Sequence, residues 1–389
     1  MRIAVYCPSF EDVSGVQEIV RRVSAHMIER GDAVAIVARA RRGALPSVDA
    51  ASGAAMLRVR LERAPYPARG LRAYRRFARR FPSGVVQLVH AVRGWEPDVI
   101  ATFCSKFHAP YVLGLRVAVP APIVINLQNA AVTADGPESP RLQWLLQRCA
   151  SRVVTASEPV ADYARRCLPD RADRVVVVPN AVDRELFEDA MPTRRARPYV
   201  LAVGRLAAQK GFDVLLHAVA AAGTSQELVV AGDGPDREAL ERRAVELGIA
   251  ARVSFLGSVG RPQVAGLMRG AAVVAIPSRF EGHPLVCLEA MAAGAPIVAS
   301  DLPVLAGSVQ HEKTALLVPV DDVTALAAAI RRLDADPALA RRLADAALAA
   351  VRGFPTWADV ATAMVDEFRH AIASRRKRGA SPSRRDVEA

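Results

Sequence analysis

The chain has 389 residues, 51% hydrophobic and only 5% aromatic, so a length typical of two domains must be packed mainly with Ala, Val and Leu. Its five cysteines form no C-x-x-C pair, which argues against a zinc site or a disulfide framework and favours a reducing, cytoplasmic setting. The formal net charge of +12 is concentrated in residues 58–80 and 374–389, and no segment has the ~18 uninterrupted apolar residues of a membrane-spanning helix.

The first half of the chain alternates short β-branched segments with longer amphipathic ones, which is the pattern of βαβ units around a parallel sheet. Its first residues predict a strand and not a signal peptide. Strands are predicted at Ile3–Tyr6, Ala33–Ala38, Val99–Phe103, Ile123–Leu127, Val153–Ala156 and Val175–Val178. Helices are predicted at Val16–Arg30, Arg69–Phe81 and Leu142–Cys149.

A second set of the same units follows a proline-marked, polar segment, which we interpret as an interdomain linker over Asn180–Arg197. Strands are predicted at Tyr199–Val203, Leu228–Ala231, Val253–Leu256, Val273–Ile276, Ile297–Ala299 and Ala315–Val318. Helices are predicted at Phe212–Ala222, Arg237–Leu247, Gln263–Arg269, Leu285–Ala293, Val323–Leu333, Pro337–Val351 and Thr356–Ala373. We therefore expect domains at residues 1–185 and 190–355, then a last helix and a disordered basic tail over 374–389.

Ligand sites in open α/β sheets lie at the carboxyl ends of the strands, and three motifs follow predicted strands of the second half. The first combines Gly204-Arg205-Leu206 with Gln209-Lys210-Gly211, just before a predicted helix. Glycine permits close backbone approach, and two cations at a helix N-terminus suit a diphosphate. A loop with ordinary solvated cations would give the same pattern.

The other two motifs also precede helices. Gly232-Asp233-Gly234-Pro235 is explained by a tight turn, and we expect it to border a nucleotide pocket as well. In the third motif, Glu281 lies in a loop and Glu289 about one turn into the following helix. There, one carboxylate can accept hydrogen bonds from a ribose diol and the other can hold a sugar hydroxyl, although glutamates are common at helix starts in any case.

The order of the motifs is more specific than any one of them. The sequence runs G-R-L-x-x-Q-K-G, G-D-G-P, F-L-G and P-S-R-F-E-G-x-P-x-x-x-L-E-A-M-A-x-G-x-P-I-V-A-S. It closely resembles the retaining glycosyltransferases of family 4 (glycosyl transferases group 1), most densely between residues 202 and 319. The resemblance implies an α/β protein of the GT-B fold, with two Rossmann-like, doubly wound parallel-sheet domains facing across a cleft and helix 356–373 packed back onto the N-terminal domain.

The resemblance also implies roles for the matching residues. Arg205 and Lys210 would neutralise the donor diphosphate, and Glu281 would hold the donor sugar, so these three are the predicted catalytic residues. Glu289 would bind the nucleotide ribose, and the base would lie near Leu256–Val259. The predicted donor-binding positions are Gly15, Gly204, Gly232, Val259, Gly282, His283, Pro284, Leu285, Val286 and Glu289.

The first domain departs from the family pattern in two places. Ser14 stands before Gly15 where Gly-Gly is usual, and Gln128 follows the strand Ile123–Leu127 where a histidine is common. Because glutamine cannot act as a base near pH 7, we predict that Gln128, with Asn129, orients the acceptor. His108 is a further acceptor-side candidate, although a lone histidine is more often a packing residue.

The implied mechanism is retaining front-face attack, in which the leaving phosphate helps to take the acceptor proton and the protein supplies positioning and electrostatics. No pair of carboxylates has the placement that a hydrolase needs. Asp334-Ala335-Asp336 is interpreted as a helix terminus and not as a metal site. We therefore predict no obligatory metal and no cofactor, with a UDP- or GDP-sugar as co-substrate.

The basic segments suggest a further partner. The hydrophobic positions of the predicted helix 69–81 share one face: Leu71, Tyr74, Phe77 and Phe81. Such a helix suits an anionic membrane surface or a phosphorylated acceptor, unless it is simply a solvated arginine-rich helix. We expect a lipid-linked or phosphorylated hydroxyl acceptor, peripheral contact with the inner face of a membrane through 69–81 and 375–385, and no nucleic acid.

Two alternatives remain open. A sugar-nucleotide epimerase can share the fold, but the combination of Arg205, Lys210, Glu281 and Glu289 in this order argues against it. A non-catalytic binding subunit could retain the fold; the intact donor motifs argue against that alternative, and Gln128 argues weakly for it.

Overall fold

The computed structural model describes residues 1–10, 15–40, 47–62, 70–103, 108–128 and 140–379. The chain folds into two compact units, one formed by the N-terminal part up to Pro179 together with the segment from Trp357, the other by Asn180–Thr356. Each unit is built around a parallel sheet of short, buried strands, so the predicted α/β class is confirmed. Within the described ranges, no helix combines the length and the hydrophobicity that crossing a bilayer requires.

The sheet of the first unit consists of β1 (Arg2–Tyr6), β2 (Ala33–Arg39), β3 (Ala55–Val59), β4 (Val99–Thr102), β5 (Ile123–Leu127), β6 (Arg152–Thr155) and β7 (Val175–Val177). The strand order is β3-β2-β1-β4-β5-β6-β7. The sequence pattern missed β3, because its residues AMLRV include a single β-branched side chain and the strand lies at the edge of the sheet, only partly buried.

Five helices of the first unit connect these strands: α1 (Gly15–Glu29), α2 (Gly70–Gly94), α3 (Ala109–Ala118), α4 (Pro140–Cys149) and α5 (Glu158–Cys167). Helices α2 to α5 pack against one another in chain order. Helix α2 continues through Pro82 to Gly94, beyond the predicted end at Phe81. Its second half buries Leu88 and Val92 completely, and this packing compensates for the backbone hydrogen bond that proline cannot make.

The sheet of the second unit consists of β8 (Tyr199–Val203), β9 (Glu227–Ala231), β10 (Val253–Gly257), β11 (Val273–Ile276), β12 (Ile297–Ser300) and β13 (Leu316–Val318), in the order β10-β9-β8-β11-β12-β13. The unit's helices are α6 (Arg184–Glu188), α7 (Phe212–Ala222), α8 (Arg237–Glu246), α9 (Arg261–Gly270), α10 (Leu285–Ala292), α11 (Val323–Ala335) and α12 (Pro337–Val351). All six strands predicted for this half are present, and their ends agree within one residue.

The segment interpreted as a linker is part of the second unit's structure. It contains helix α6, whose Phe187 is completely buried, and Val182 joins the same hydrophobic core. The mostly polar composition of the segment gave no indication that Phe187 and Val182 are buried. A single apolar face is enough to hold a short helix against the core.

The chain ends with α13 (Trp357–Gly379), which belongs to the first unit and contacts α1, β4, β5 and β6. Arg152 and Glu367 form an ion pair between β6 and this helix. Residues 374–379 are helical, whereas we expected disorder from 374 onwards, and 380–389 lie outside the described residues. Asp336 caps α12 by accepting a hydrogen bond from Leu339 N at 2.9 Å, so the interpretation of the D-x-D motif as a helix terminus is confirmed.

Candidate functional site

The loops that follow β8, β9 and β10 are joined by backbone hydrogen bonds at the carboxyl edge of the second sheet. Gly204 N donates to Ala231 O at 3.0 Å, Leu206 N to Asp233 O at 3.0 Å, and Gly232 N to Gly257 O at 2.8 Å. The first two predicted motifs therefore lie side by side, as their positions after neighbouring parallel strands require.

Gly232 is required by the contact between these loops. Its φ is +148°, and a Cβ at this position would lie 1.9 Å from the carbonyl oxygen of Gly204. A Cβ at Gly234 would likewise lie 2.3 Å from the oxygen of Leu206. The packing of one loop on the other thus accounts for both glycines of the second motif, a reason different from the tight turn that the sequence suggested.

The loop of Lys210 is joined in the same way to the loop that follows β11. Gly211 has φ +63°, and a Cβ there would lie 2.0 Å from the oxygen of Pro277. Arg279 N donates to Gln209 O at 2.8 Å, and Gln209 Nε2 donates to Phe280 O at 2.9 Å. The first and third motifs therefore form one connected surface.

Lys210 and Glu281, predicted as separate ligand contacts, pair with each other. Lys210 Nζ lies 2.5 Å from Glu281 Oε1, and Ser278 Oγ donates to the same oxygen at 2.7 Å. Glu281 is only 6% exposed, so its charge requires these partners. Arg205, in contrast, is exposed, and its guanidinium forms no ion pair with any of the described residues.

Arg279 holds three neighbouring segments together, and no pattern in the sequence indicated this role. Its guanidinium reaches Ala208 O at 2.5 Å, Asp213 Oδ2 at 2.7 Å and Asp321 Oδ1 at 2.8 Å. Burial alone would raise the pKa of Asp213, but the hydrogen bonds and charge of Arg279 hold that pKa below its usual value. The carboxylate therefore stays ionised, and the clamp holds the Lys210 loop in place.

Glu289 lies in α10, is 8% exposed and is paired with an arginine that the sequence analysis did not single out. Arg261 Nη1 lies 2.7 Å from Glu289 Oε1, and the guanidinium stacks 5.4 Å from the ring centroid of Phe187. Arg261 begins α9, shortly after the segment ending at Val259 where the base was expected. Val259 itself is half-buried against the core.

The backbone of residues 282–286 leads into α10, whose first turn leaves N–H groups without partners in the helix. Gly282 and Pro284 lie in the loop, and Leu285 and Val286 form the first turn of the helix. The two ring nitrogens of His283 have different surroundings. Nδ1 is buried without a hydrogen-bond partner among the described residues, and Nε2 lies 3.3 Å from Ser308 Oγ.

Two further observations concern His283. Burial lowers the pKa of its ring to about 4, so the ring is neutral at physiological pH. Its carbonyl oxygen accepts a hydrogen bond from Asn180 Nδ2 at 3.1 Å, and Asn180 is 2% exposed. Asn180 therefore fixes the backbone of this loop, and it could have been recognised only from the V-P-N-A-V-D motif.

The acceptor-side candidates belong to the first unit. Gln128 directly follows β5, is half-buried and has a buried Oε1 without a partner among the described residues. Gly15, predicted as a donor-binding position, is also in this unit, where it is exposed and begins α1. His108 is 9% exposed and packs edge-on against Tyr6, with ring centroids 6.4 Å apart. Ser14 and Asn129 lie outside the described residues.

Two family models together match most of the chain. The model described as "Glycosyltransferase Family 4" matches residues 13–186, and the model described as "Glycosyl transferases group 1" matches residues 183–349. The second match contains all the predicted positions of the second unit.

Curated relatives match the chain along nearly its whole length. D-inositol 3-phosphate glycosyltransferase of Mycolicibacterium paratuberculosis is 31% identical over 94% of this chain and 87% of its own. The protein of that name from Xylanimonas cellulosilytica is 29% identical over 95% of this chain and 94% of its own. Alpha-D-kanosaminyltransferase of Streptomyces kanamyceticus is 28% identical over 61% of this chain and 67% of its own.

Solved structures show the same fold at lower identity. Sucrose-phosphate synthase from Thermosynechococcus elongatus superposes with a TM-score of 0.78 at 24% identity, covering 96% of this chain and 99% of its own. Anabaena Alr3699/HepE in complex with UDP and glucose gives 0.77 at 19% identity, covering 94% and 98%. From its sequence matches and its two parallel-sheet units, the chain belongs to the group 1, family 4 glycosyltransferases and has the GT-B fold.

Proposed function

We propose that the protein transfers a sugar from a nucleotide-sugar donor to an acceptor hydroxyl with retention of anomeric configuration. The observation that carries the proposal is the pairing of Lys210 and Glu281 on connected loops of the second unit, directly before helix α10, which contains Glu289. Cationic, carboxylate and backbone N–H groups are the complements of a diphosphate, sugar hydroxyls and a ribose diol.

The donor diphosphate is assigned to Lys210 and Arg205. Lys210 is one-fifth exposed and already carries a carboxylate partner, so a bound diphosphate would share this ammonium with Glu281. Arg205 is exposed and forms no ion pair with a described residue, so binding breaks no such pair. Together they would stabilise the negative charge that grows on the phosphate as the sugar leaves, without a metal ion or a cofactor.

The nucleoside is assigned to the neighbourhood of Glu289, Arg261 and Val259. Glu289 has one oxygen on Arg261, and its carboxylate can accept further hydrogen bonds from ribose hydroxyls. The similar solved structure of Anabaena Alr3699/HepE contains UDP and glucose, so UDP-sugars are the first donors to test, followed by GDP-sugars.

The proposed reaction needs no nucleophile from the protein, because the acceptor oxygen attacks the sugar directly. The acceptor oxygen bonds to the anomeric carbon on the face from which the bond to the diphosphate oxygen breaks, and that phosphate oxygen takes the acceptor proton. The protein contributes position and charge, with Glu281 holding the sugar. Gln128 is assigned to acceptor orientation, since its amide can donate and accept hydrogen bonds but cannot act as a base.

The acceptor is proposed to be a phosphorylated or lipid-linked alcohol. The relatives named D-inositol 3-phosphate glycosyltransferase motivate the phosphorylated form, and the basic first unit is compatible with both. A phosphorylated polyol and a polyprenyl or glycerol phosphate are therefore the acceptors to add first.

The proposal is tested by nucleotide release from UDP-, GDP-, ADP- and TDP-sugars, with and without these acceptors. Glu289→Ala and Lys210→Gln should abolish release, while Lys313→Gln, the same change at an exposed lysine, should not. Release of one nucleotide together with an unepimerised, α-configured product from an α-donor supports retaining transfer. An epimerised free sugar would assign the chain to the epimerases, and release that is insensitive to both site variants would contradict the proposed donor site.

A further inference from the structure

Three neighbouring helices of the first unit contain no acidic residue. Helix α2 carries six arginines, α3 one and α4 two, and none of the three contains Asp or Glu. The helices pack side by side, α2 on α3 and α3 on α4. The solvent-facing sides of these helices, which we name the α2–α4 surface, therefore carry arginines and no carboxylate of the helices themselves.

Part of the aromatic face of α2 packs against α3. The rings of Phe77 and Phe81 lie 5.2 Å apart, and Phe81 lies 5.0 Å from Tyr111 of α3, so these side chains hold the two helices together. Phe77 and Phe81 are accordingly half-buried, and the side chains of Leu71 and Tyr74, the other members of the predicted face, lie outside the described residues. What α2 presents to solvent is its other side, with exposed Arg75, Arg79 and Arg93.

Most of the exposed cations of this surface form no ion pair with a residue that the structure describes. Among the described side chains of α2, α3 and α4, a single ion pair is formed, between Arg80 and Glu62. Arg116 on α3 and Arg148 on α4 extend the exposed positive charge beyond α2. A surface of this kind raises the local concentration of anions and favours an extended anionic partner over a single phosphate.

Each helix of the surface also exposes one large apolar side chain. Val86 of α2 is 67% exposed, Val117 of α3 is 79% exposed and Trp144 of α4 is 41% exposed. Exposed valine and tryptophan among arginines suit the boundary between lipid headgroups and acyl chains, where an apolar group is buried and a cation meets phosphate. A polynucleotide would offer the arginines phosphate but would leave the valines no apolar environment.

We propose that the α2–α4 surface docks the protein on an anionic lipid bilayer, with the arginines on the headgroups and Trp144, Val117 and Val86 at the acyl boundary. The partner is the bilayer and not a soluble phosphate, because the cations extend over three helices. Docking needs no donor and no turnover, so it stands or fails independently of the proposed glycosyl transfer.

The test is co-sedimentation of the full chain with phosphatidylcholine vesicles, with and without phosphatidylglycerol. Wild-type protein should bind only the anionic vesicles, and added salt should weaken binding. Since each arginine near an anionic surface contributes about fivefold, the double variant Arg79→Glu/Arg116→Glu should bind at least ~10-fold more weakly. The matched control is Arg331→Glu/Arg341→Glu, which makes the same charge change at exposed positions of α11 and α12 in the second unit.

A fluorescence measurement tests the apolar contact separately. Anionic vesicles should shift the tryptophan emission of the wild-type protein to shorter wavelength, and Trp144→Phe should remove this shift while sedimentation persists. Equal binding to neutral vesicles, or equal loss of binding in both charge-reversed variants, would overturn the proposal. A polynucleotide that binds the wild-type protein but not Arg79→Glu/Arg116→Glu, and displaces it from vesicles, would assign the surface to nucleic acid.

Discussion

The ion pair between Lys210 and Glu281 joins two loops that are 71 residues apart in the chain. Sequence motifs identified both side chains, because each follows a strand in an unusual pattern. Their mutual contact could not be predicted, since it depends on the packing that Gly211 allows against Pro277. The ion pairs of Arg261 and Arg279 could not be predicted for the same reason, because their partners lie 28 and 66 residues away in the chain. An arginine in an arginine-rich chain gives no signal until its partner is located.

The first prediction concerns the stability of this pair. Lys210→Gln leaves the buried Glu281 charge with Ser278 alone, so we expect the free energy of unfolding to fall by about 3–5 kcal/mol. Adding Glu281→Gln should restore part of that loss, because a neutral amide replaces the unpaired charge. Chemical denaturation of both single variants and the double variant measures the coupling. Additive effects of the two changes would show that the pair contributes nothing of its own.

The second prediction assigns Arg261 to donor binding as a positioning residue. Arg261→Ala should raise the donor KM about tenfold with little change in kcat, because Glu289 loses the partner that fixes its carboxylate. Arg261→Lys should recover part of the affinity through a single hydrogen bond. Arg195→Ala is the control, since Arg195 also pairs with a partly buried glutamate, Glu227. Steady-state kinetics that show an equal loss in both alanine variants would reduce Arg261 to a structural role.

The third prediction follows from the lowered pKa of His283. Its pKa is about 4 in the folded protein, against an ordinary value of 6.5, so the unfolded chain binds more protons between these values. Stability is therefore fully present above pH 6.5 and declines as the pH falls toward 4, by on the order of 3 kcal/mol from this group. His283→Gln should lack this component when urea unfolding is measured across the range. A parallel pH dependence in the variant would assign the effect to other groups.

At the scale of elements, strands were predicted wherever a short β-branched or hydrophobic segment is bounded by turn residues, including the half-buried edge strand β10. All the strands of the second sheet were predicted, because β-branched segments there stand between turn residues. Edge strand β3 and the second half of α2 were missed, since both depend on tertiary packing. The loops that carry the three motifs were also placed correctly after strands of the second sheet, because glycine and proline mark where those strands end.

The fourth prediction tests the packing of those loops. Gly232→Ala places a Cβ 1.9 Å from the oxygen of Gly204, so the two loops must separate, and both stability and nucleotide affinity should fall. Gly223→Ala is the matched control, because Gly223 also has a positive φ but its Cβ would meet no atom within 4 Å. The control should lose only about 1 kcal/mol of stability and retain affinity. Thermal unfolding and nucleotide titration of both variants separate steric disruption from backbone strain.

At the scale of the whole molecule, the last helix of the chain packs against the N-terminal part. Helix α13 follows the second unit in sequence yet belongs to the first, where Val365 and Phe368 are completely buried. The sequence indicates a final amphipathic helix, and only the resemblance implied where it packs. The predicted domains at 1–185 and 190–355 stay a prediction. A domain should fold independently, and the compactness of a unit does not test that property.

The fifth prediction makes that independence measurable in the intact chain. Phe368→Ala creates a cavity between α13 and the first sheet and should cost about 3–5 kcal/mol. If the two units unfold separately, hydrogen exchange should accelerate in α1, β4, β5 and β6 and stay unchanged in β8 to β12. Phe187→Ala, an equally buried phenylalanine of the second unit, should give the reverse pattern. If either variant instead accelerated exchange throughout the chain, the two units would be one cooperative structure, and loss of α13 would disable the donor site together with the first unit.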